Sequence, residues 1–362
     1  MVTLGYTSCG IIRTSRKTTH AFGLISFQIK DLTPAQTLHL ANRMTPDEKD
    51  NMKILVAYDG SRCSEAALDD LVGAGLPDSC EALAISVAEV WLPPPNGAGD
   101  VTGIKLDAAS ERMIQRHYQK NRKVVTEAGT LACHAKKRLQ GMFPRWRVKS
   151  EATYGSPAWG ILHRADIFKP DLIVVGSHGR SVISRFFLGS ISQKVLTEAS
   201  CSVRVARGHI EVDPSPARIV IGFDGSKGAQ AAVDAVAARA WHEYSEVRLV
   251  AATDEVQPSD VGRFMTPLTD TVEAVNESDR EWIEVRAHKA LSKLQTKNIG
   301  ATLHVRAGNP KTVLIEQAEH WNADCIFVGA NGYGRRMERF LLGSTSAAVA
   351  ARAHCSVEVV RK

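Results

Sequence analysis

The chain carries the same ordered set of blocks twice, and any fold it adopts has to accommodate that duplication. Lys53-Ile-Leu-Val-Ala-Tyr-Asp-Gly-Ser61 returns as Arg218-Ile-Val-Ile-Gly-Phe-Asp-Gly-Ser226. Asp171-Leu-Ile-Val-Val-Gly176 returns as Asp324-Cys-Ile-Phe-Val-Gly329, and Arg185-Phe-Phe-Leu-Gly-Ser190 as Arg339-Phe-Leu-Leu-Gly-Ser344. The closing block Cys201-Ser-Val-Arg-Val-Ala-Arg207 matches Cys355-Ser-Val-Glu-Val-Val-Arg361. At 362 residues the chain is long enough for two domains, each with its own core.

The spacing of the blocks shows where the copies differ. Twelve extra residues separate the first and second blocks of the first copy, most simply between Trp91 and about Arg122, a stretch that opens with the loop signal Pro93-Pro-Pro-Asn-Gly97. One extra residue lies in the second copy, between Gly332 and Gly343. The expected organisation is an extension over 1–51, a first domain over 52–208, a short Pro-containing linker over 209–216, and a second domain over 217–362.

Within each copy, short apolar runs alternate with segments of helical spacing. In the first, Ile54–Ala57, Ala82–Val90, Trp146–Thr153, Leu172–Val175 and Ser202–Ala206 have the character of strands. Helical spacing follows Ser64, runs from Ser156 to Phe168 before Pro170, and returns over Ser190–Glu198. Fully apolar strands alternating with helices predict an α/β fold, a parallel sheet covered on both faces.

Ligands of such sheets sit beyond the carboxyl ends of the strands, which directs attention to two loops. After the fourth strand comes Gly176-Ser-His-Gly179, nine residues, then Gly189-Ser190. Glycines allow close approach of a phosphate to the main chain, successive N–H groups can form an anion nest, and a helix starting near Ser190 aims its positive end at the same point. His178 and Arg180 lie inside that loop, where they could touch phosphate or equally face solvent. After the first strand, Asp59-Gly60-Ser61 offers a carboxylate suited to a pair of ribose hydroxyls or to Mg²⁺ beside phosphates. The same tripeptide can equally turn the chain and cap a helix.

This combination, Asp-Gly-Ser after strand one, G-x2-G-x9-G-S after strand four and a closing Cys-x-Val-x-Val strand, resembles the universal stress protein family over essentially Met52 to the end. The resemblance implies two tandem doubly wound domains, each a five-stranded parallel sheet in the order 3-2-1-4-5, paired through their fifth strands as an intrachain pseudo-dimer. It further implies an ATP- or nucleotide-binding stress-response protein without efficient catalysis. In the first copy it places Asp59 at the ribose, the main chain around Val87 at adenine, and Gly176, Gly179, Gly189 and Ser190 at the phosphates; Ser61, His178 and Arg180 join them as neighbouring candidates. The corresponding second-copy set is Asp224, Ser226, Gly329, Gly332, Gly343 and Ser344, with no obvious counterpart of Val87 in Val250-Ala-Ala-Thr-Asp254. Ser202 and Ser356 stand where the family often has proline and are expected to carry no role. The alternatives are an ATP-using enzyme, against which the absence of H-x-G-H and S-G-G-x-D-S speaks, and an interaction module whose glycine loops are purely structural.

The rest of the composition narrows the setting. A net charge of +6 without a dense basic block gives no reason to expect nucleic acid. Seven scattered cysteines without C-x-x-C argue against a disulfide framework or zinc site and for a reducing cytoplasm. No apolar run approaches membrane-spanning length. Residues 1–51 show no sustained periodicity, and Met52 directly precedes the first strand. A chain beginning at Met52 should therefore match the full chain in thermal midpoint and in nucleotide binding. A large drop in the midpoint would show that the extension belongs to the fold.

Overall fold

The computed structural model describes residues 51–90, 108–178, 188–207, 216–253, 267–331 and 342–361. Its first half runs β1 (Lys53–Ala57), α1 (Arg62–Asp69), β2 (Glu81–Ala88), α2 (Ala108–Met142), β3 (Arg147–Tyr154), α3 (Pro157–Phe168), β4 (Leu172–Gly176), α4 (Ser190–Glu198) and β5 (Ser202–Ala206). The second repeats it as β6 (Arg218–Gly222), α5 (Lys227–Ala237), β7 (Glu246–Thr253), α6 (Pro267–Gln295), β8 (Gly300–Ala307), α7 (Pro310–His320), β9 (Cys325–Gly329), α8 (Ser344–Arg352) and β10 (Ser356–Val360). The expected linker lies largely outside the described residues, as do Gly179, Arg180, Gly332 and the extra residue before Gly343.

All ten strands belong to one sheet, ordered β3-β2-β1-β4-β5-β10-β9-β6-β7-β8. Each half has the expected 3-2-1-4-5 order, and neighbours within a half are parallel. The halves meet where β5 and β10 pair antiparallel, with Arg204 opposite Glu358. Alternation along these two strands sends Val203, Val205, Val357 and Val359 to one face and Arg204 and Glu358 to the other. On the valine face α3, α4, α7 and α8 cover a single core that runs across both halves. On the opposite face the cores are separate, one under α1 and α2 and one under α5 and α6.

The gap between those separate cores holds a buried ion network. Arg204 reaches Asp70, donating through Nε and, at 3.0 Å, through Nη2. Its Nη1 lies 3.4 Å from Glu358, which Arg239 also engages. The Ser356 hydroxyl donates to Asp70 at 2.7 Å and accepts from the Arg207 amide at 3.1 Å, while the Ser202 hydroxyl accepts from the Arg361 amide at 3.2 Å. The serines therefore tie the two closing strands together, contrary to the expectation that they carry no role. Proline at either position would lack that hydroxyl.

The long helices correct a second expectation. The buried faces Ala128, Ala132, Ala135, Leu139 and Ile283, Ala287, Ala290, Leu294 have identical spacing. They correspond only if ten of the twelve extra residues lie between β2 and Ala128 and two follow Leu139, in the turn where Phe143 stacks on Trp146 at 3.9 Å.

Breaking a buried ion network by removing one partner costs roughly 3–5 kcal/mol, whereas an exposed pair contributes less than about 1 kcal/mol. Asp70→Ala should lower stability in urea by about the larger amount. Asp78→Ala, which removes the exposed partner of Arg145, should barely move it. Equal shifts would show that the network does not hold the halves together.

Candidate functional site

Two clefts open at the carboxyl ends of the strands, one in each half. The first, of 480 Å³, is bounded by Asp59 after β1, Val87 in β2, Gly176 and His178 after β4, and Gly189 and Ser190 at the start of α4. The second, of 310 Å³, is bounded by Asp224, Ser226, Ala252, Gly329, Gly343 and Ser344. The structure thus gathers most of the described sequence candidates around two matching openings. Val87 does have a counterpart. β2 and β7 align residue for residue, and the smaller Ala252 stands at its register position.

The helix that follows the first strand of each half is capped by its own residues. Gly60 and Gly225 turn the chain with φ of +76° and +70°, a region that favours glycine. Asp59 Oδ1 accepts from the Ser61 amide at 3.0 Å, and Asp224 Oδ1 from the Ser226 amide at 3.0 Å. The buried Ser61 hydroxyl accepts from the Ser64 amide at 3.2 Å, and Ser226 from the Ala229 amide at 3.1 Å. Both serines are thus N-caps. Asp59 is half-buried and Asp224 exposed.

The helix that follows the fourth strand is built differently. α4 starts at Gly189 and α8 at Gly343, and neither start has a side-chain cap. The Gly189 amide donates to Ser177 O at 2.8 Å and the Gly343 amide to Ala330 O at 2.7 Å. The following three amides of each first turn have no intrahelical acceptor. Ser190, Ile191 and Ser192 line the first cleft, and Ser344, Thr345 and Ser346 the second. Ser192 and Ser346 anchor these turns by donating to Gly176 O and Gly329 O, each at 2.6 Å. Each cleft therefore contains an uncapped, electropositive helix terminus.

Gly176 and Gly329 prove to have a packing reason as well. A Cβ on Gly176 would lie 2.7 Å from the Cys63 carbonyl, and one on Gly329 2.3 Å from the Gly228 carbonyl carbon. These glycines let the helix after strand one press onto strand four, which sets the width of the cleft.

The walls differ between the halves. Val124, Glu127, Ala128 and Leu131 of α2 line the first cleft. No described residue of α6 lines the second cleft; on that helix Arg286 stacks on Trp282 at 3.9 Å, and that pair packs against Gly225. His178 hydrogen-bonds the Ser177 hydroxyl through Nδ1 at 3.2 Å. Burial, then the nearby Arg207 guanidinium, holds it below the usual imidazole range, so it is neutral at pH 7. Asn331 takes the corresponding place in the second cleft. A polar cluster missed by motif reading flanks the first. Tyr58 donates to Glu65, Arg138 bridges Glu65 and Asp69, and burial followed by the Glu65 contact raises the Tyr58 phenol.

The model of the universal stress protein family matches residues 51–207 and again 217–361. The chain belongs to the universal stress protein family. A universal stress protein of Mycobacterium tuberculosis is 26% identical over 251 residues, covering 67% of this chain and 77% of the relative. One from Bacillus subtilis is 31% identical over 159 residues, 43% of this chain and 98% of its own. Among solved structures, a universal stress protein from Archaeoglobus fulgidus aligns with 86% of this chain and 96% of its own at a TM-score of 0.50 and 20% identity. That likeness concerns the fold. Among the described residues no group of three or more His, Cys, Asp or Glu is placed to hold a metal ion, and no helix is long and apolar enough to cross a membrane.

Losing a Ser N-cap costs about 1 kcal/mol of helix stability. Ser61→Ala and Ser226→Ala should each lower stability by an amount of that order, seen as a lower melting midpoint whether or not ligand is present. A midpoint that falls only when ligand is present would mark the hydroxyl as a ligand contact instead of a cap.

Proposed function

We propose that this universal stress protein binds ATP, in the first cleft most tightly, and that its role is nucleotide-dependent regulation in a stress response, not efficient turnover. The observation that carries this reading is the contrast between helix starts. Those of α1 and α5 are capped by Ser61 and Ser226, whereas α4 and α8 open uncapped into the clefts. An anion at such a terminus gains hydrogen bonds that nothing else in the first turn provides.

The remaining parts suit a nucleotide. The Asp59 carboxylate can accept from ribose hydroxyls or join Mg²⁺ held by phosphates. Val87 and Ile161 give the first cleft apolar walls against which a base can lie. Cavities of 480 and 310 Å³ fall in the range that small ligands occupy. Mg²⁺ would help neutralise the phosphate charge; the chain itself would supply the amides of Ser190, Ile191 and Ser192 and the carboxylate of Asp59.

Three differences favour the first cleft. It is larger, its aspartate is better shielded from water, and Val87 offers more apolar surface than Ala252. Calorimetric titration with Mg-ATP should therefore show Asp59→Ala losing at least about tenfold in affinity at the tighter site, the loss of one charged hydrogen bond. Asp224→Ala should leave that site within about twofold, corresponding to a few tenths of a kcal/mol. Mass spectrometry of ligand released from the purified chain should find ATP. An unsubstituted chain that takes up no nucleotide would refute the reading. Equal losses from the two substitutions would refute the asymmetry.

A further inference from the structure

The two closing strands end in arginines at equivalent places in the repeat, Arg207 and Arg361, and each crosses to the other half. Arg207, at the end of β5, donates to the last carbonyls of α8. Its Nη2 lies 2.9 Å from Ala350 O and 2.8 Å from Ala351 O, and its Nη1 3.3 Å from Ala353 O. Arg361, at the end of β10, reaches back to α4, where Nη2 donates to Leu196 O and Nη1 to Cys201 O at 3.5 Å. Final-turn carbonyls have no intrahelical donor, so a guanidinium satisfies them directly and its charge suits that end of the helix.

α4 and α8 are the two helices whose first turns face the clefts. Each has only nine residues, so a clamp at its last turn lies on the order of 13 Å from its first along the axis. A rod that short transmits a tilt at one end directly to the other. Phosphate binding by main-chain amides depends on their aim, because hydrogen bonds weaken steeply away from linearity.

We infer that Arg361 is a positioning residue for the first cleft and Arg207 for the second, so that each nucleotide site is completed by an arginine of the opposite half. The inference rests on the proposed nucleotide reading of the clefts. Its assignment runs against proximity. Arg207 directly follows Ala206, whose carbonyl accepts from the Ser177 amide at 3.1 Å beside the first cleft, and its charge acts on His178 there. Nearness therefore assigns Arg207 to the first cleft, whereas the clamp assigns it to the second.

The test uses the full chain carrying Asp224→Ala, which silences the second cleft, titrated with Mg-ATP. Arg361→Gln should weaken binding at the first cleft on the order of tenfold, and several-fold more than Arg207→Gln does. Arg361→Lys keeps the half-buried charge but not the two-pronged reach, so it should stay folded, checked by thermal melting, and show an intermediate loss. In the complementary chain carrying Asp59→Ala, any binding that remains in the second cleft should depend more on Arg207. A larger loss from Arg207→Gln than from Arg361→Gln at the first cleft would overturn the inference. So would equal losses from both, or none from Arg361→Gln and Arg361→Lys. All of these outcomes require ATP binding by the unsubstituted chain; its absence would instead refute the nucleotide reading itself, and this inference with it.

Discussion

The antiparallel pairing of β5 with β10 is the constraint on which the rest of the molecule depends. It joins two five-stranded sheets into one, merges the cores under α3, α4, α7 and α8, and brings each closing arginine to the other half. Charge favours the pairing of unlike halves. Arg204 stands opposite Glu358 with Asp70 and Arg239 completing the network. Two copies of the first half paired identically would set Arg204 against Arg204, each still held by its own Asp70, and two of the second would set Glu358 against Glu358, each still held by its own Arg239; either pairing would replace the Arg204–Glu358 attraction with like-charge repulsion. Duplication has thus become complementarity. The repeat retains the backbone geometry of a symmetric pair, while the side chains on its axis have diverged into partners.

The same mixture of retained backbone and diverged side chains marks the clefts. What both halves keep are main-chain devices: the left-handed glycine, the aspartate turn, the serine cap, the uncapped fourth-strand helix and the glycine that lets helix press on strand. What differs is the lining, His178 against Asn331, Val87 against Ala252, and an α2 wall in the first cleft that no described residue of α6 supplies in the second. A shared phosphate locus with unequal surroundings for base and sugar follows naturally from that division.

Much of this was legible in the sequence because strands buried on both faces are continuous apolar runs. Ser202–Ala206 and Ser190–Glu198 were readable to the residue, and β2 and β3 to within two. The Asp-Gly-Ser turns were legible through their geometry, although the sequence could not choose between cap and ligand for Ser61. The long helix α2 was less visible because its buried stripe is mostly alanine, which contrasts weakly with polar neighbours; that also concealed the two extra residues after Leu139. The roles of Ser356, Asp70 and Arg239 were not legible at all. Their partners lie more than a hundred positions away, and only the packing of each half and, for Ser356, the pairing of the closing strands bring them together.

The central claim is that the uncapped first turn of α4, unlike the capped first turn of α1, receives the nucleotide phosphates. Amide chemical shifts of the full chain, followed by NMR during titration with Mg-ATP, test it at the atoms concerned. The account predicts that the amide protons of Ser190, Ile191 and Ser192 move downfield as they acquire acceptors, while Ser64, already bonded to Ser61, scarcely moves. Saturable binding with the α4 amides unmoved, or with Ser64 moving the most, would contradict it.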